Sequence, residues 1–293
     1  KIYSGINVLD HISCQIEENK ITGLIGRNGA GKTTLLKIIA GFLRHSSGEV
    51  KVFQEQPFNS LFVSANMIFI DDQMSLPAAL TLREILEEAS RFYKHWDMGI
   101  AERLFDYFSL NPKQHHGNLS KGMKSTFNMI LGLSARCPLT IFDEPTTGMD
   151  ASVRKDFYRA LLKDYLAYPR TVIISSHHLD EIEHLLEDVL VLNKGRVQLH
   201  RSISDLKEWA IGLQGEKELI EKWALNHELI YMEPIDDNRS YAVVRHDFTS
   251  GELNKMRRSG LDVLPVRVSD LCMYLTDGRQ GGIDDVFFEN DVR

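Results

Sequence analysis

Apolar and polar positions alternate in blocks along the first two thirds of the chain. Residues 21–25 (ITGLI) form a short apolar run followed by glycine, which predicts a buried strand. Residues 32–42 (KTTLLKIIAGF) space their apolar side chains three and four apart, the period of a helix buried on one face. Short runs at 67–70, 139–142 and 172–175 are rich in β-formers and predict further strands. Helical spacing fills the intervals at 81–93, 101–108, 121–135 and 151–167. Strands that alternate with helices pair in parallel and need cover on both faces, so an α/β fold is expected. Residues 189–192 and 196–200 flank Asn193-Lys194-Gly195, the turn chemistry of a hairpin.

Beyond residue 204 the pattern weakens. Residues 206–225 read as a helix, 230–233, 240–245 and 262–268 as strands, and 250–258 as a helix. Together they predict a small α+β appendage. Charge marks the same boundary: the formal net charge of −7 lies entirely after residue 204, and the residues before it balance. Two domains are therefore expected, 1–204 and 205–293. An acidic tail is the wrong sign for nucleic acid, which is not expected as a partner. No apolar stretch is long enough to span a bilayer; the best, 127–142, is broken by Arg136 and Pro138. Lys1-Ile2-Tyr3-Ser4 lacks the apolar segment of a secretory signal. Cys14, Cys137 and Cys272 lie far apart and form no metal or redox motif, which fits a reducing compartment; each is expected as a buried or half-buried hydrophobe.

The chemistry is concentrated in two places. Residues 26–34 read Gly-Arg-Asn-Gly-Ala-Gly-Lys-Thr-Thr, a G-x-x-x-x-G-K-[ST] loop between a predicted strand and a predicted helix. Glycines let successive N–H groups turn inward around phosphates, and the helix start adds positive potential. Lys32 is the reach toward β- and γ-phosphates, and the Thr33 hydroxyl is a Mg²⁺ ligand. Further on, the apolar strand 139–142 delivers Asp143 and Glu144 to its C-terminal end, the edge where open α/β sheets bind ligands. Asp143 is the expected Mg²⁺ residue and Glu144 the base that takes a proton from attacking water.

With these two motifs in place, the chain resembles the ATP-binding subunit of a bacterial ABC transporter of the exporter type. Several motifs carry the likeness, in family order, over residues 3–200. Leu119-Ser120-Lys121-Gly122-Met123 is similar to the LSGGQ signature, departing from it at Lys121 and Met123. Gly148-Met149-Asp150 resembles the D-loop, and His177 the switch histidine after the next strand. Tyr3 stands where the family places an aromatic against adenine. The fold implied is a P-loop NTPase with a parallel core, an antiparallel β part and a helical signature subdomain. The resemblance implies ATP and Mg²⁺ as cofactors. Nucleotide contacts would come from Tyr3, from Asn28, Gly29, Ala30, Gly31, Lys32, Thr33 and Thr34, and from Gln73. Ser120, Gly122 and Asp150 would add theirs from a second cassette. Ser120 also has a physical role of its own, as the N-cap of the helix that follows. Lys32, Glu144 and His177 are the implied catalytic residues, with Thr33, Gln73 and Asp143 toward the metal. The Q-loop residue has two readings: counting back from Thr81 selects Asp72, residue type selects Gln73, and Gln73 is taken here.

The implied partners are integral membrane subunits and a second ABC cassette, placing the chain at the cytoplasmic face of a membrane. Aromatic residues Phe92, Tyr93 and Trp96 fall in the region that receives the membrane partner in the family, although core packing accounts for them equally well. Residues 266–276 resemble the closing segment of bacterial exporter ATPases. His177, Glu181 and His184 share one helical face, but a solvated face explains them better than a metal site. His115-His116 is expected in an exposed loop. Two rival readings are a soluble ABC ATPase acting on ribosomes or DNA, and a non-hydrolysing regulatory cassette.

Overall fold

A parallel sheet carries the first part of the molecule, and the residues at its strand ends decide what meets there. The computed structural model describes residues 1–225 and 227–276. The chain divides into two compact units, Lys1–Ser204 and a second that begins at Asp205.

In the first unit, β1 (Ile2–Tyr3) and β2 (Ile6–Asn7) make a small hairpin that the sequence pattern did not announce. The main sheet has the order β4 (Met67–Ile70), β5 (Leu139–Asp143), β6 (Thr171–Ser176), β3 (Ile21–Ile25), β7 (Asp188–Asn193) and β8 (Arg196–Ser202). The first five are mutually parallel, and β8 folds back antiparallel on β7. β3, β4 and β5 are buried at every position, so their continuous apolar runs are those of strands covered on both faces. α1 (Lys32–Ile39) follows β3, and the short α2 (Leu61–Ala65), capped by the Ser60 hydroxyl, precedes β4. α3 (Leu82–Phe92) opens with a capping box, in which the Thr81 hydroxyl accepts the Glu84 N–H and the Glu84 carboxylate accepts the Thr81 N–H. α4 (Met98–Tyr107), α5 (Lys121–Ala135), α6 (Ala151–Ala167) and the short α7 (Leu179–Ile182) complete the unit. Phe142, fully buried on β5, meets Phe157 of α6 edge to face at 5.5 Å.

Two expectations of exposure are corrected. His116 is buried, because its ring lies against Phe127 and its Nε2 finds Asn128 Oδ1 at 2.9 Å. Cys14 is exposed, whereas Cys137 and Cys272 are buried.

After α8 (Ile203–Lys207), the second unit runs β9 (Ala210–Glu216), α9 (Lys217–Ala224), β10 (Leu229–Pro234), β11 (Arg239–Arg245), α10 (Ser250–Arg258) and β12 (Asp262–Pro265). The sheet order is β10-β11-β9-β12 with every neighbour antiparallel, which is the ferredoxin-like split β-α-β arrangement. α11 (Val268–Thr276) ends the described chain. The helix expected over 206–225 is interrupted by the central strand β9. Gly212 and Gly215 disfavour helix there, and Ala210, Ile211 and Leu213 are buried in the sheet instead. The strand expected over 262–268 stops at Pro265, which has no N–H for the ladder, and Val268 already begins α11.

Candidate nucleotide site

Four loops meet at the C-terminal edge of the parallel strands: those after β3, β4, β5 and β6. The first is the phosphate-loop sequence. Gly31 caps α1 at φ 103, and a Cβ there would stand 2.7 Å from Leu9 Cδ2 and 3.1 Å from the Val8 carbonyl. Only glycine meets both conditions. Asn28 and Gly29 lie exposed at the crest of the loop, Ala30 is buried, Thr33 is exposed and Thr34 half-buried on the first turn of α1. Lys32 is buried; its Nζ donates to the Gly26 carbonyl at 2.7 Å and the Arg27 carbonyl at 3.4 Å. The ammonium and the open N–H groups of α1 thus gather positive potential at one point, as a phosphate chain requires.

The loop after β5 supplies the opposing charge. Parallel register sets Asp143 against Ser175 of β6. The buried Ser175 hydroxyl donates to Asp143 Oδ1 at 2.6 Å and accepts the Glu144 N–H at 2.9 Å, so one side chain fixes both acidic residues. Glu144 has φ 48, a conformation few non-glycine residues adopt. It is held there by Thr147, whose N–H and hydroxyl donate to the Glu144 carbonyl at 3.3 and 2.9 Å. From this turn Glu144 Oε1 lies 3.1 Å from Lys32 Nζ, and Oε2 lies 2.8 Å from His177 Nδ1. Lys32, Glu144 and His177, separated widely in sequence, stand in one row: cation, carboxylate, imidazole. A partly open carboxylate between those two groups, next to a phosphate-binding helix start, is arranged to accept a proton from water. Thr33 and Asp143 offer hydroxyl and carboxylate oxygens, the donor set of a hard divalent cation, and so fit Mg²⁺.

The loop after β4 is where sequence and structure divide the roles differently. Asp71, which the sequence reading passed over, is the residue beside Asp143, because Ile70 pairs with Phe142 one position earlier. Burial lifts its carboxyl above the ordinary range, Lys37 at 3.7 Å pulls it back, and Asp143 pushes it up again. Asp72 pairs with Lys121 at 3.6 Å. Gln73 is exposed, and its amide donates to Asp72 Oδ1 at 3.1 Å. A parallel-register argument from strands 67–70 and 139–142 is the signal that would have found Asp71; the same argument from β5 and β6 would have found Ser175.

Ser120 caps α5, its hydroxyl accepting the Met123 N–H at 3.3 Å. Gly122 sits where a Cβ would fall 2.4 Å from the Gly148 carbonyl, so the start of α5 and the turn before Asp150 touch backbone to backbone. The Ser125 hydroxyl donates to the Thr147 carbonyl at 2.8 Å and ties the same turn a second time. Asp150 is exposed at the N-cap of α6 and makes no capping bond. Tyr3 is exposed on the N-terminal hairpin, with Lys1 Nζ 4.8 Å from its ring centre. The hairpin leads into Val8 and Leu9, the residues that crowd Gly31. Glu181 is taken up by Arg154, and among the described residues no cluster of three or more acid, histidine or cysteine side chains forms a metal site.

Comparison with known proteins points to one family. Residues 9–147 match the family model for ABC transporters. The bacitracin transport ATP-binding protein BcrA of Bacillus licheniformis is 29% identical over 92% of this chain and 91% of its own. The ABC transporter ATP-binding protein YtrB of Bacillus subtilis is 28% identical over 73% of each. A solved ATP-binding subunit of an ABC transporter superposes with a TM-score of 0.62 at 25% identity, over 70% of this chain and 88% of that one. Residues 9–147 thus carry an ABC transporter ATP-binding cassette, a domain of the ATPase type, and the chain is similar over most of its length to the ATP-binding proteins of such transporters.

Proposed function

We propose that this chain hydrolyses Mg²⁺-ATP to drive export through integral membrane subunits, working at the cytoplasmic face of the membrane. The observation that carries the reading is Glu144 standing between Lys32 and His177. In the proposed cycle ATP is the substrate, bound with its phosphates along the Gly26–Lys32 turn. Lys32 holds negative charge on the terminal phosphates. Glu144 accepts the proton of the attacking water, and His177 keeps the carboxylate turned toward it. Thr33 and Asp143 would hold Mg²⁺, with Gln73 assigned to the same ion, and the ion would supply positive charge to the phosphates. Ser120 and Asp150 lie exposed at the starts of α5 and α6 and, with the Gly122 backbone, are assigned to a second cassette. There the capped helix start offers a further anion site. Tyr3 is assigned to the adenine. Closure of two cassettes around ATP and their opening after hydrolysis would move the membrane subunits.

Export is the direction assigned because the Lys121-bearing signature and the 266–276 segment resemble those of exporter ATPases. Relatives named as ATP-binding proteins of transporters support a membrane partner. Among the described residues no helix is long and apolar enough to cross a membrane, so in this reading the spanning segments come from partners. The test is Glu144→Gln. It should keep ATP binding and abolish steady-state hydrolysis; normal turnover would remove Glu144 from the role of base. Affinity purification from detergent-solubilised membranes should bring down a multi-spanning protein; recovery of ribosomal or other soluble proteins alone would overturn the transporter assignment.

A further inference from the structure

His116 and Asn128 are buried polar residues that the site as described does not use. His116 opens a single 3-10 turn, His116–Asn118, just ahead of Leu119 and Ser120. Asn128 lies two turns into α5. His116 Nε2 meets Asn128 Oδ1 at 2.9 Å, which makes Nε2 the protonated nitrogen of a neutral ring. Burial keeps the imidazole pKa below its ordinary value, so the ring stays neutral. Asn128 Nδ2 then donates to the Asp71 carbonyl at 3.3 Å. A second link runs outside the first, from Lys121 Nζ to Asp72 Oδ2 at 3.6 Å. Two consecutive residues of the loop beside Asp143 are thus tied to two points on either side of Ser120, one link buried and one exposed. The exposed pair is weakly held. The buried chain is not, because losing one member leaves the others unsatisfied in the interior.

We infer that His116 and Asn128 are positioning residues, which lock the 71–73 loop of a cassette to its own Ser120 turn so that the two shift as one piece. The inference rests on the ATPase reading above. It gives that reading a mechanical connection: the Ser120 end faces the second cassette, the Asp71 end stands beside Asp143, and a displacement at one reaches the other through two side chains and a carbonyl.

The test uses the full chain. His116→Phe keeps a ring against Phe127 and removes the donor. His116→Gln keeps an N–H donor. The double variant His116→Phe/Asn128→Leu replaces both partners with apolar groups and leaves neither side chain unsatisfied. The Asp71 carbonyl, which loses Asn128, keeps the Met74 N–H at 3.5 Å, so the cost to folding is smaller than that of His116→Phe alone. The readouts are kcat and KM for Mg²⁺-ATP, and backbone amide exchange over residues 71–76 and 119–123. The His116→Phe and double variants should lower kcat by about tenfold with KM within about twofold, the pattern of a misplaced reacting geometry. Exchange should quicken in both segments together, and His116→Gln should recover most of the loss. The inference is overturned if exchange quickens in one segment alone, if the double variant keeps its kcat, or if His116→Gln is as poor as His116→Phe. A parent chain that hydrolyses no ATP would sink the ATPase reading, while the exchange measurement would still decide whether the two segments are linked.

Discussion

Ser175→Ala is the most direct probe of the site, because one hydroxyl fixes two acidic residues. Ser175 is fully buried, Asp143 is nearly so, and the hydroxyl bridges Asp143 Oδ1 at 2.6 Å and the Glu144 N–H at 2.9 Å. Alanine leaves a carboxylate oxygen and an amide without their partner in the interior. Each such loss costs about 1–3 kcal/mol, with the bond to the charged group at the upper end, so the variant should lose about 4–6 kcal/mol. That is a large share of the ~5–15 kcal/mol that holds a typical protein together. In calorimetry the transition of the first unit should fall by roughly 2–4 °C for each kcal/mol. Turnover should suffer separately. The Glu144 turn at φ 48 loses one of its restraints, and a shift of about 1 Å in a reacting group can cost ~10²-fold. Ser175→Cys, of similar shape but with a weak donor, should fall between serine and alanine in both measurements. A melting transition within about 1 °C of the parent and a kcat within about threefold would refute the bridge.

Two further substitutions test packing around the same edge. Gly122→Ala would place a Cβ 2.4 Å from the Gly148 carbonyl, and overpacking against backbone should cost about 1–3 kcal/mol in urea unfolding while reducing ATPase activity; an unchanged midpoint would deny the close approach. Asp164→Asn breaks a buried network, in which Asp164 Oδ1 accepts from Arg136 Nη2 at 2.8 Å and Oδ2 lies 2.8 Å from Arg170 Nη1. Removing the charge should destabilise by about 3–5 kcal/mol, checked by the shift in denaturant midpoint, and a loss below about 1 kcal/mol would count against the pairing.

The contiguous motifs were legible from sequence because local chemistry specifies them. A glycine-rich turn between a buried strand and a helix has one use, and residues 26–34 fold as that turn around Lys32. The helix starts at Thr81 and Ser120 were legible too, since a hydroxyl cap is read by N–H groups only three residues away. What escaped were contacts fixed by register. Ser175 lies 32 residues from Asp143, and nothing short-range distinguishes it from Ser176; only the pairing of β5 with β6 selects it. Asp71 escaped for the same reason. A histidine pair ahead of glycine reads as a loop, and the partner that buries His116, Asn128, lies twelve residues away on a helix face shared with Lys124 and Ser125, where nothing local marks it. In the second unit the error was one of period. Residues 210–216 carry enough apolar residues for a helix, but sheet pairing with two neighbours overrode that weak signal.

The departures from the family signature acquire a physical account from the same contacts. Two features of that segment bear on an anion site: the Ser120 hydroxyl at the cap, and a residue at 122 small enough to let α5 lie on the Gly148 turn. Both are present. Met123 takes part through its backbone N–H, which any side chain but proline would supply, so glutamine is not needed for the cap. At Lys121 the aliphatic stem covers Gly148, its Cγ 3.0 Å from where a Cβ would sit, and the ammonium turns to Asp72. A glycine at that position could make neither contact. The substitution therefore leaves the backbone that would meet phosphate intact, and adds a charge-bearing link to the loop beside Asp143. A second cassette approaching with bound nucleotide would bring phosphate charge toward this lysine, in competition with Asp72. An exposed pair at 3.6 Å, worth at most about 1 kcal/mol, is weak enough to yield to such a charge. The Asn128 bond to the Asp71 carbonyl is more sheltered and would persist, so the loop could release its outer tie on closure without losing its place on α5.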